Sequence, residues 1–276
     1  MAIVSKRALR REEEGESIFV SMTDLAVSFL FILLVLLAFF ATQIHLKEAE
    51  KEIQDPLATY LQSAASQRER FLKDIKRRIE HESGIKVTVF TEEGLIRLAA
   101  DEFFESGKWE VGPQSNPEAY RIAEAIADAF MAVLPSYTLG SQSRYDSEIN
   151  PVYTLIETVQ IEGHTDSDPI MRSRGELIDN LDLSSRRAAA MFRVIQDKEP
   201  RLLELFNLKD FPVMSFSGYG DLRPLPDKGG LSEDEIKRRN RRIDLRFILQ
   251  TPRDVQEIES IKDALRQSGA ELRSNE

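Results

Sequence analysis

A carboxylate and a guanidinium stand at positions where proteins commonly place binding groups. Asp166 comes just past a predicted strand over 158–162, and loops that leave strand ends often build sites. Arg187 lies in the first turns of the helix predicted next, and its planar side chain can hold a carboxylate through two parallel hydrogen bonds. Asn180, Leu183 and Arg187 are spaced by three and four residues, so a helix places them on one side. Asp166 and Arg187 thus offer one anion and one cation for a candidate site.

A third candidate residue, Asp24, lies at the start of a long apolar run. From 25 to 41 the only polar side chain is Ser28. A carboxylate near the centre of a bilayer costs about 2.5–3.5 kcal/mol on insertion scales and is normally retained for ion or proton traffic. The string 21–24 also fits a helix capping box, which would make Asp24 structural. We favour proton traffic, because a helix that starts at Ile18 puts Asp24 more than a turn inside.

The composition argues against several other kinds of chemistry. The chain has no cysteine, which rules out disulfides and thiolate metal sites. A formal net charge of -10 gives no electrostatic footprint for nucleic acid. His164 with Asp166 makes only two potential metal ligands, so we expect neither a metal nor a cofactor. The sequence offers no nucleophile–base pair and no phosphate loop, which predicts a protein that is not an enzyme. Asp166 and Arg187 could also form a purely structural ion pair.

The apolar run is long enough to cross a membrane. A spanning helix needs about 20 apolar residues, whereas the apolar part of a signal peptide has about 7–15 and ends in a small-x-small site. Because 38–41 offers no such site, we predict an uncleaved transmembrane helix over 18–44 behind a tail over 1–17. Four lysines and arginines precede the span, against Lys47 and Lys51 soon after it. This modest bias predicts a cytoplasmic N-terminus and a periplasmic C-terminal part, at the bacterial inner membrane.

The rest of the chain alternates predicted helices and strands, which predicts the α+β class. A helix-prone stretch over 45–83 with an apolar stripe is interpreted as a periplasmic stalk, the alternative being a segment that packs on the membrane or on a twin chain. A domain over 84–250 follows, with a polar insertion over 136–150, and residues 251–276 are expected to form a helical tail. Strands are predicted at 85–90, 95–99, 158–162, 213–217 and 242–249, and helices from Asn116-Pro117 and from near Asp182.

Several sequence blocks in this domain stand in an order found in a known family. They are IEGHTD at 161–166, NLDLSSRRA at 180–188, GYG at 218–220 and NRRI at 240–243. The chain thereby resembles the OmpA C-terminal family, which includes porin tails, peptidoglycan-associated lipoproteins and flagellar stator subunits. The resemblance is tight over the core 155–250 and loose over 84–154. It implies a βαβαβ-type sandwich that binds the diaminopimelate of peptidoglycan without a covalent bond.

The resemblance also implies roles for single residues. It carries the family's ligand-binding aspartate onto Asp166 and its arginine onto Arg187, and the asparagine and leucine of its helix start onto Asn180 and Leu183. A peptide-stem amino acid presents a carboxylate and an ammonium close together, so its binder needs a cation and an anion. The loop over 167–179 departs from the short glycine-rich loop usual in the family, a difference at the rim of the expected pocket.

The complete arrangement resembles the B subunit of an ion-driven MotA/MotB-like motor. In that family a homodimer of B chains pairs with a ring, expected to be a pentamer, of multi-span MotA-like chains, and peptidoglycan holds the unit still. The resemblance carries the proton-carrying aspartate onto Asp24. The string 22–26 (MTDLA) departs from the tryptophan-containing string of flagellar stators, and the chain looks closer to ZorB of the Zorya anti-phage defence system. The alternatives are a flagellar stator subunit, a passive cell-wall tether without ion conduction and, against the residue inventory, a periplasmic hydrolase.

Overall fold

The structure, a computed structural model, describes residues 22–45, 56–100, 104–170, 178–227 and 229–273. The chain separates into two compact units, one within Met1–Pro56 and the other within Leu57–Glu276. The predicted tail over 1–17 and the start of the predicted span lie outside the described residues.

The described part of the first unit is a single helix, α1, over Met22–His45. Its 24 residues correspond to about 36 Å of helix, against roughly 30 Å of bilayer hydrocarbon. By length and composition α1 could cross a membrane, which fits the membrane anchor predicted over 18–44. The hydroxyl of Thr42 donates a hydrogen bond of 2.7 Å to the carbonyl of Ala38, so this polar group is satisfied within the helix.

The second unit is built on a five-stranded mixed sheet with the strand order β1-β2-β5-β3-β4. The strands are β1 (Thr88–Phe90), β2 (Leu95–Ala99), β3 (Ile156–His164), β4 (Met214–Gly218) and β5 (Arg242–Leu249). Strands β3 and β4 run parallel, and the other neighbours run antiparallel. The last strand of the chain therefore lies in the middle of the sheet and joins its two halves.

Helices connect and cover these strands. They are α2 (Pro56–Ser83), α3 (Pro117–Val133), α4 (Asn180–Lys198), α5 (Glu233–Asn240) and α6 (Val255–Arg273), with short 3-10 helices at Leu134–Tyr137 and Pro200–Glu204. The run β3-α4-β4-α5-β5 is the βαβαβ order that the family resemblance implies, and the α+β class is confirmed.

The helix starts follow from capping side chains. The Asn116 side chain accepts a hydrogen bond from the backbone N–H of Ala119 at the start of α3, as its place before a proline predicts. Asp179 caps α4 by accepting from the N–H of Asp182. A complete capping box between Ser232 and Glu235 begins α5, a helix that the sequence analysis does not predict.

One face of the sheet forms the main core with α2, α3 and α4. The side chains that β5 turns toward these helices include Leu245 and Phe247, which are both buried. Phe71 of α2 and Phe130 of α3 each contact the ring of Phe247 edge-on, with centroids 5.5 and 5.6 Å apart. Aromatic contacts of this geometry add to the stabilisation from buried area alone, so α2 and α3 are held on the same strand.

Helix α2 belongs to this core, which corrects the predicted stalk over 45–83. Its apolar stripe, which includes Phe71, Leu72, Ile75 and Ile79, is at most 1% exposed. A three- and four-residue period shows that a helix has an apolar face, but it does not show what covers that face. Here the core on the sheet covers it, with Phe71 against Phe247 of β5 and against Tyr137, so the residues over 57–83 are part of the folded domain.

Two further segments, the predicted C-terminal tail and the polar insertion, are also packed into this unit. Ile258 of α6 packs against Tyr60 and Ala64 of α2, which corrects the boundary drawn at 250. The polar insertion over 136–150 is tied down from α2, because the Gln67 side-chain amide donates to the hydroxyl of Tyr137 at 2.7 Å and to the carbonyl of Ile149 at 2.6 Å. The domain thus extends from Leu57 into α6.

Replacing Phe71 by alanine tests the placement of α2. We expect the free energy of unfolding of the soluble unit to fall by about 3–5 kcal/mol, because the change leaves a cavity in the core. Leu61→Ala on the same helix is the matched control, since Leu61 is 40% exposed and its loss should cost little. Urea unfolding curves give both values. Equal, small effects of the two changes would instead indicate a solvated stalk.

Candidate ligand-binding cleft

A cleft of about 780 Å³ opens next to the carboxyl end of β3 and the first turns of α4. All four residues that the sequence singles out for ligand binding in the domain line it: Asp166, Asn180, Leu183 and Arg187. The fold therefore brings together residues that are up to 21 positions apart in the sequence. Their role in binding remains a prediction, but their convergence supplies the geometry that the prediction requires.

Close approach of α4 to the strand ends creates this convergence. A side chain at Gly163 of β3 would overlap the backbone carbonyl of Ser184, and one at Gly218 of β4 would overlap Ser185. The Ser184 hydroxyl also accepts a hydrogen bond of 2.8 Å from the N–H of Gly220. Because both strands carry glycine where the helix crosses, α4 can lie directly on the sheet and present its first turns to Asp166.

Arg187 is a buried cation in the wall of the cleft, with 2% of its surface exposed. Its Nε donates to the carbonyl of Lys108 at 2.8 Å and its Nη2 donates to the carbonyl of Glu105 at 3.0 Å. The guanidinium also lies over the ring of Phe104, 4.9 Å from its centroid. Among the described residues its Nη1 has no hydrogen-bond partner. With respect to the described residues, this nitrogen therefore remains open to a ligand.

The electrostatic surroundings of Arg187 favour an anion beside it. Burial lowers the pKa of Arg187 to about 10, while the carboxylate of Asp166 acts to raise it and the cation of Arg241 lowers it further. The side chain remains charged at neutral pH. A desolvated cation that its neighbours only partly neutralise stabilises any carboxylate that enters the cleft.

Asp166 forms its direct ion pair with Arg241. Its Oδ2 accepts from Nη1 of Arg241 at 2.6 Å, and its Oδ1 accepts from the backbone N–H of Asp168 at 3.1 Å. The sequence left open a structural ion pair between Asp166 and Arg187. In the structure, the direct ion-pair partner of Asp166 is Arg241 instead. Arg241, which also lines the cleft, is a site residue that the sequence analysis misses, although it stands in the NRRI block.

The loop that carries Asp166 is fixed from both sides. The Asn180 side-chain amide, at the start of α4, donates to the carbonyls of Asp166 and Asp168 at 3.2 and 3.1 Å. From α5, the ammonium of Lys237 pairs with the carboxylate of Asp168 at 2.9 Å. Leu183 contributes a buried apolar wall. The rest of the unusual loop, over 171–177, lies outside the described residues.

A buried network of ions covers the opposite face of the sheet. Both Nε and Nη2 of Arg246 bind the carboxylate of Glu162, at 2.7 and 3.0 Å. The carboxylate of Asp244 is held by two nitrogens of Arg97, both at 2.8 Å, and by Nε of Arg242 at 3.0 Å. Both carboxylates are almost fully buried, and pairing of this kind is what makes such burial tolerable.

His164 lies between the two carboxylates, with its Nε2 3.8 Å from an oxygen of Glu162 and from one of Asp244. These three side chains are close enough together to surround a metal ion. The charges argue against a cation there, because the three guanidiniums of Arg97, Arg242 and Arg246 already outnumber the two carboxylates by one. A divalent ion would add uncompensated positive charge to a buried site.

Comparison with protein-family models and with curated proteins finds no match. Similar solved structures include a putative MotB-like protein from Desulfovibrio vulgaris, with 20% identity, coverage of 69% of this chain and 98% of that one, and a TM-score of 0.43. Another is the periplasmic domain of Helicobacter pylori MotB, with 19% identity, coverage of 65% and 97%, and a TM-score of 0.39. The peptidoglycan-associated lipoprotein from Burkholderia pseudomallei has 18% identity, coverage of 54% and 87%, and a TM-score of 0.29. These values describe a distant likeness of fold.

The ion network predicts how stability depends on pH. Burial lowers the pKa of His164 below its ordinary 6.5, so the unfolded chain takes up this proton more readily and stability falls as the pH drops below 6.5. Burial acts to raise the pKa of Glu162, but His164 and Arg246 outweigh it and hold this pKa at about 2. A second loss of stability is therefore expected between 4.5 and 2.

Urea midpoints measured across this pH range test the prediction. His164→Gln should remove the fall of the urea midpoint just below pH 6.5. This holds whatever the effect of the change on absolute stability, because only the pH dependence of the midpoint reports proton uptake by the histidine. His81→Gln, exposed on α2, is the control and should retain this fall. A fall that persists unchanged without His164 would assign it to another group.

Proposed function

We propose that the soluble unit anchors this protein to peptidoglycan by gripping its peptide stems in the cleft. The observation that carries the proposal is the convergence of a carboxylate, Asp166, and a buried guanidinium with a remaining donor, Arg187, in one cleft. A stem residue such as diaminopimelate offers an ammonium and a carboxylate a short distance apart. The two protein groups match these charges, and Asn180 and Leu183 complete the wall.

The chemistry of the cleft supports holding a ligand, not cleaving one. Among its described lining residues, the ionisable side chains belong to three acidic residues, Glu105, Asp166 and Asp168, and two arginines, Arg187 and Arg241. The two arginines supply no general base, and Asp166 is already engaged by Arg241 at 2.6 Å. We infer a non-enzymatic binding domain that needs no cofactor.

We further propose that the chain is the B subunit of a proton-driven, MotA/MotB-like motor in the bacterial inner membrane. In this proposal α1 crosses the membrane with its N-terminus in the cytoplasm, Asp24 carries the proton, and residues 46–55 link α1 to the periplasmic domain. A carboxylate on an otherwise apolar helix is costly in lipid, so it requires a partner that screens it. A multi-span MotA-like subunit, as a pentamer around two copies of this chain, would provide that screen.

The biological setting that we propose is anti-phage defence of the Zorya type, with the chain as its ZorB subunit. The support is the sequence at the start of α1, where MTDLA over 22–26 departs from the string of flagellar stators. A flagellar stator subunit has the same architecture, and a passive tether has it without ion conduction. The two predictions below separate the binding function from the motor function.

Loss of the charges in the cleft should abolish anchoring. We expect Asp166→Ala, and Arg187→Lys, to leave the domain folded and to prevent its sedimentation with purified peptidoglycan. Removing one partner of a buried, hydrogen-bonded charge pair typically costs about 2–5 kcal/mol of binding, and lysine lacks the planar fork of arginine. Arg186→Ala is the matched control, because Arg186 is the next residue but pairs with Asp182 on the helix surface. Normal sedimentation of both cleft variants would refute the assignment of the site.

Neutralising Asp24 should stop the motor without releasing the anchor. Asp24→Asn keeps the shape of the side chain but cannot ionise, so we expect normal membrane insertion and peptidoglycan binding together with complete loss of phage resistance. Asparagine caps a helix as well as aspartate does, so a capping role predicts full activity. Motility is the readout if the chain serves a flagellum. Full activity of this variant at normal expression would identify a passive tether.

A further inference from the structure

The described charges at the floor of the cleft do not balance. Asp166 contributes one negative charge, whereas Arg187 and Arg241 contribute two positive charges. At the rim, Asp168 is neutralised by Lys237, which pairs with it at 2.9 Å. Glu105 turns its carbonyl to Arg187, and its side chain is exposed to solvent, where water and salt screen its charge. Counted over the described residues, the floor therefore has an excess of one positive charge.

The two cations are not equivalent. Arg241 forms a short ion pair with Asp166 at 2.6 Å, so each of these two groups already neutralises the other. Arg187 is bound only by neutral carbonyl groups and is nearly fully buried, with Nη1 left without a partner among the described residues. Of the two cations, Arg187 is the one without a direct counterion among the described residues. The excess positive charge therefore resides on the guanidinium that faces the ligand.

Resting on the proposed function, we propose that the cleft selects peptide stems by a free carboxylate, and that Arg241 makes the ligand's ammonium a secondary determinant. A carboxylate gives Arg187 its missing counterion and accepts from its open nitrogen. A carboxamide of nearly the same shape offers an acceptor but no charge, so the buried cation stays uncompensated. A ligand without an ammonium leaves no uncompensated charge on Asp166, because Arg241 already neutralises this carboxylate.

The chemical class of ligand follows from this asymmetry. The cleft takes stems whose diamino acid ends in a free carboxylate, and it rejects stems in which that carboxylate is amidated. A stem whose diamino acid lacks the amine loses less affinity. The same holds for a stem whose amine is used in a cross-link, provided that the group joined to the amine fits in the cleft. The protein is thereby expected to anchor to unamidated wall and to be released where the wall is amidated.

Titration of the detergent-solubilised full chain with three soluble stem peptides tests the proposal. The peptides carry diaminopimelate, its carboxamide, or 2-aminopimelate, which keeps the carboxylate and lacks the amine. We expect the carboxamide to bind at least about 30-fold more weakly than the free acid, and 2-aminopimelate to lose less than about tenfold. Similar binding of acid and carboxamide, or an equal loss with 2-aminopimelate, would overturn the selection rule. Binding of none of the three would instead refute the proposed function.

Arg241→Gln tests the second half of the proposal. Without Arg241, Asp166 lacks its counterion and must obtain it from the ligand, so the preference for diaminopimelate over 2-aminopimelate should rise about tenfold or more. Arg239→Gln, exposed on α5, is the matched control and should leave this ratio unchanged. Arg241→Lys keeps the charge and should stay near the wild-type ratio, which provides the comparison if the glutamine variant unfolds. Two results would show that the charge of Arg241 does not set the preference for diaminopimelate over 2-aminopimelate. One is an unchanged preference in the folded glutamine variant, and the other is a lysine variant with the same preference as the glutamine variant.

Discussion

Burying the guanidinium of Arg187 is the constraint on which the cleft depends. A cation taken out of water must be surrounded by acceptors, or its burial costs several kcal/mol. The acceptors here are two backbone carbonyls, those of Glu105 and Lys108, and the ring of Phe104 covers the planar face. The chain over 104–108 is therefore drawn against α4 and forms one wall of the cleft. The neutral partners satisfy the hydrogen bonds but not the charge, and the proposed affinity of the cleft for an anion rests on that difference.

The adjacent arginines at the start of β5 connect this cleft to the rest of the sheet. Neighbouring residues at the beginning of a strand point in opposite directions. Arg242 accordingly enters the ion network with Asp244, while Arg241 reaches the carboxylate of Asp166. The pairing of β3 with β5 sets Glu162 opposite Asp244 and His164 opposite Arg242. A register slip would move these charges to the apolar face, so the network that holds the sheet in register also holds Arg241 at the cleft.

Local signals in the sequence account for much of the fold and for most of the site. The strands over 95–99 and 242–249 and the capped start of α3 lie where alternation and capping residues predict them. The four cleft residues are those that the family resemblance singles out, and the spacing of three of them on one helix face agrees with it. Burial of α2 could not be predicted, because an apolar stripe fits any covering surface. Helix α5 is too short and too polar for a periodic signal, and Arg241 joins the site only through a tertiary contact across 75 residues.

The two carboxylates that the sequence singles out are suited to opposite tasks. Asp166 is held in place by the guanidinium of Arg241 and the backbone N–H of Asp168, which suits the fixed ligand contact proposed for it. A proton carrier must instead change between charged and neutral forms, so it cannot be locked in an ion pair of this kind. In the proposed motor, Asp24 on α1 would have this role, and the transmembrane potential supplies about 2.3 kcal/mol per charge for each 100 mV. The cleft of the second unit fits a motor subunit and a passive tether equally well, so the proposed distinction between them rests on Asp24 of α1.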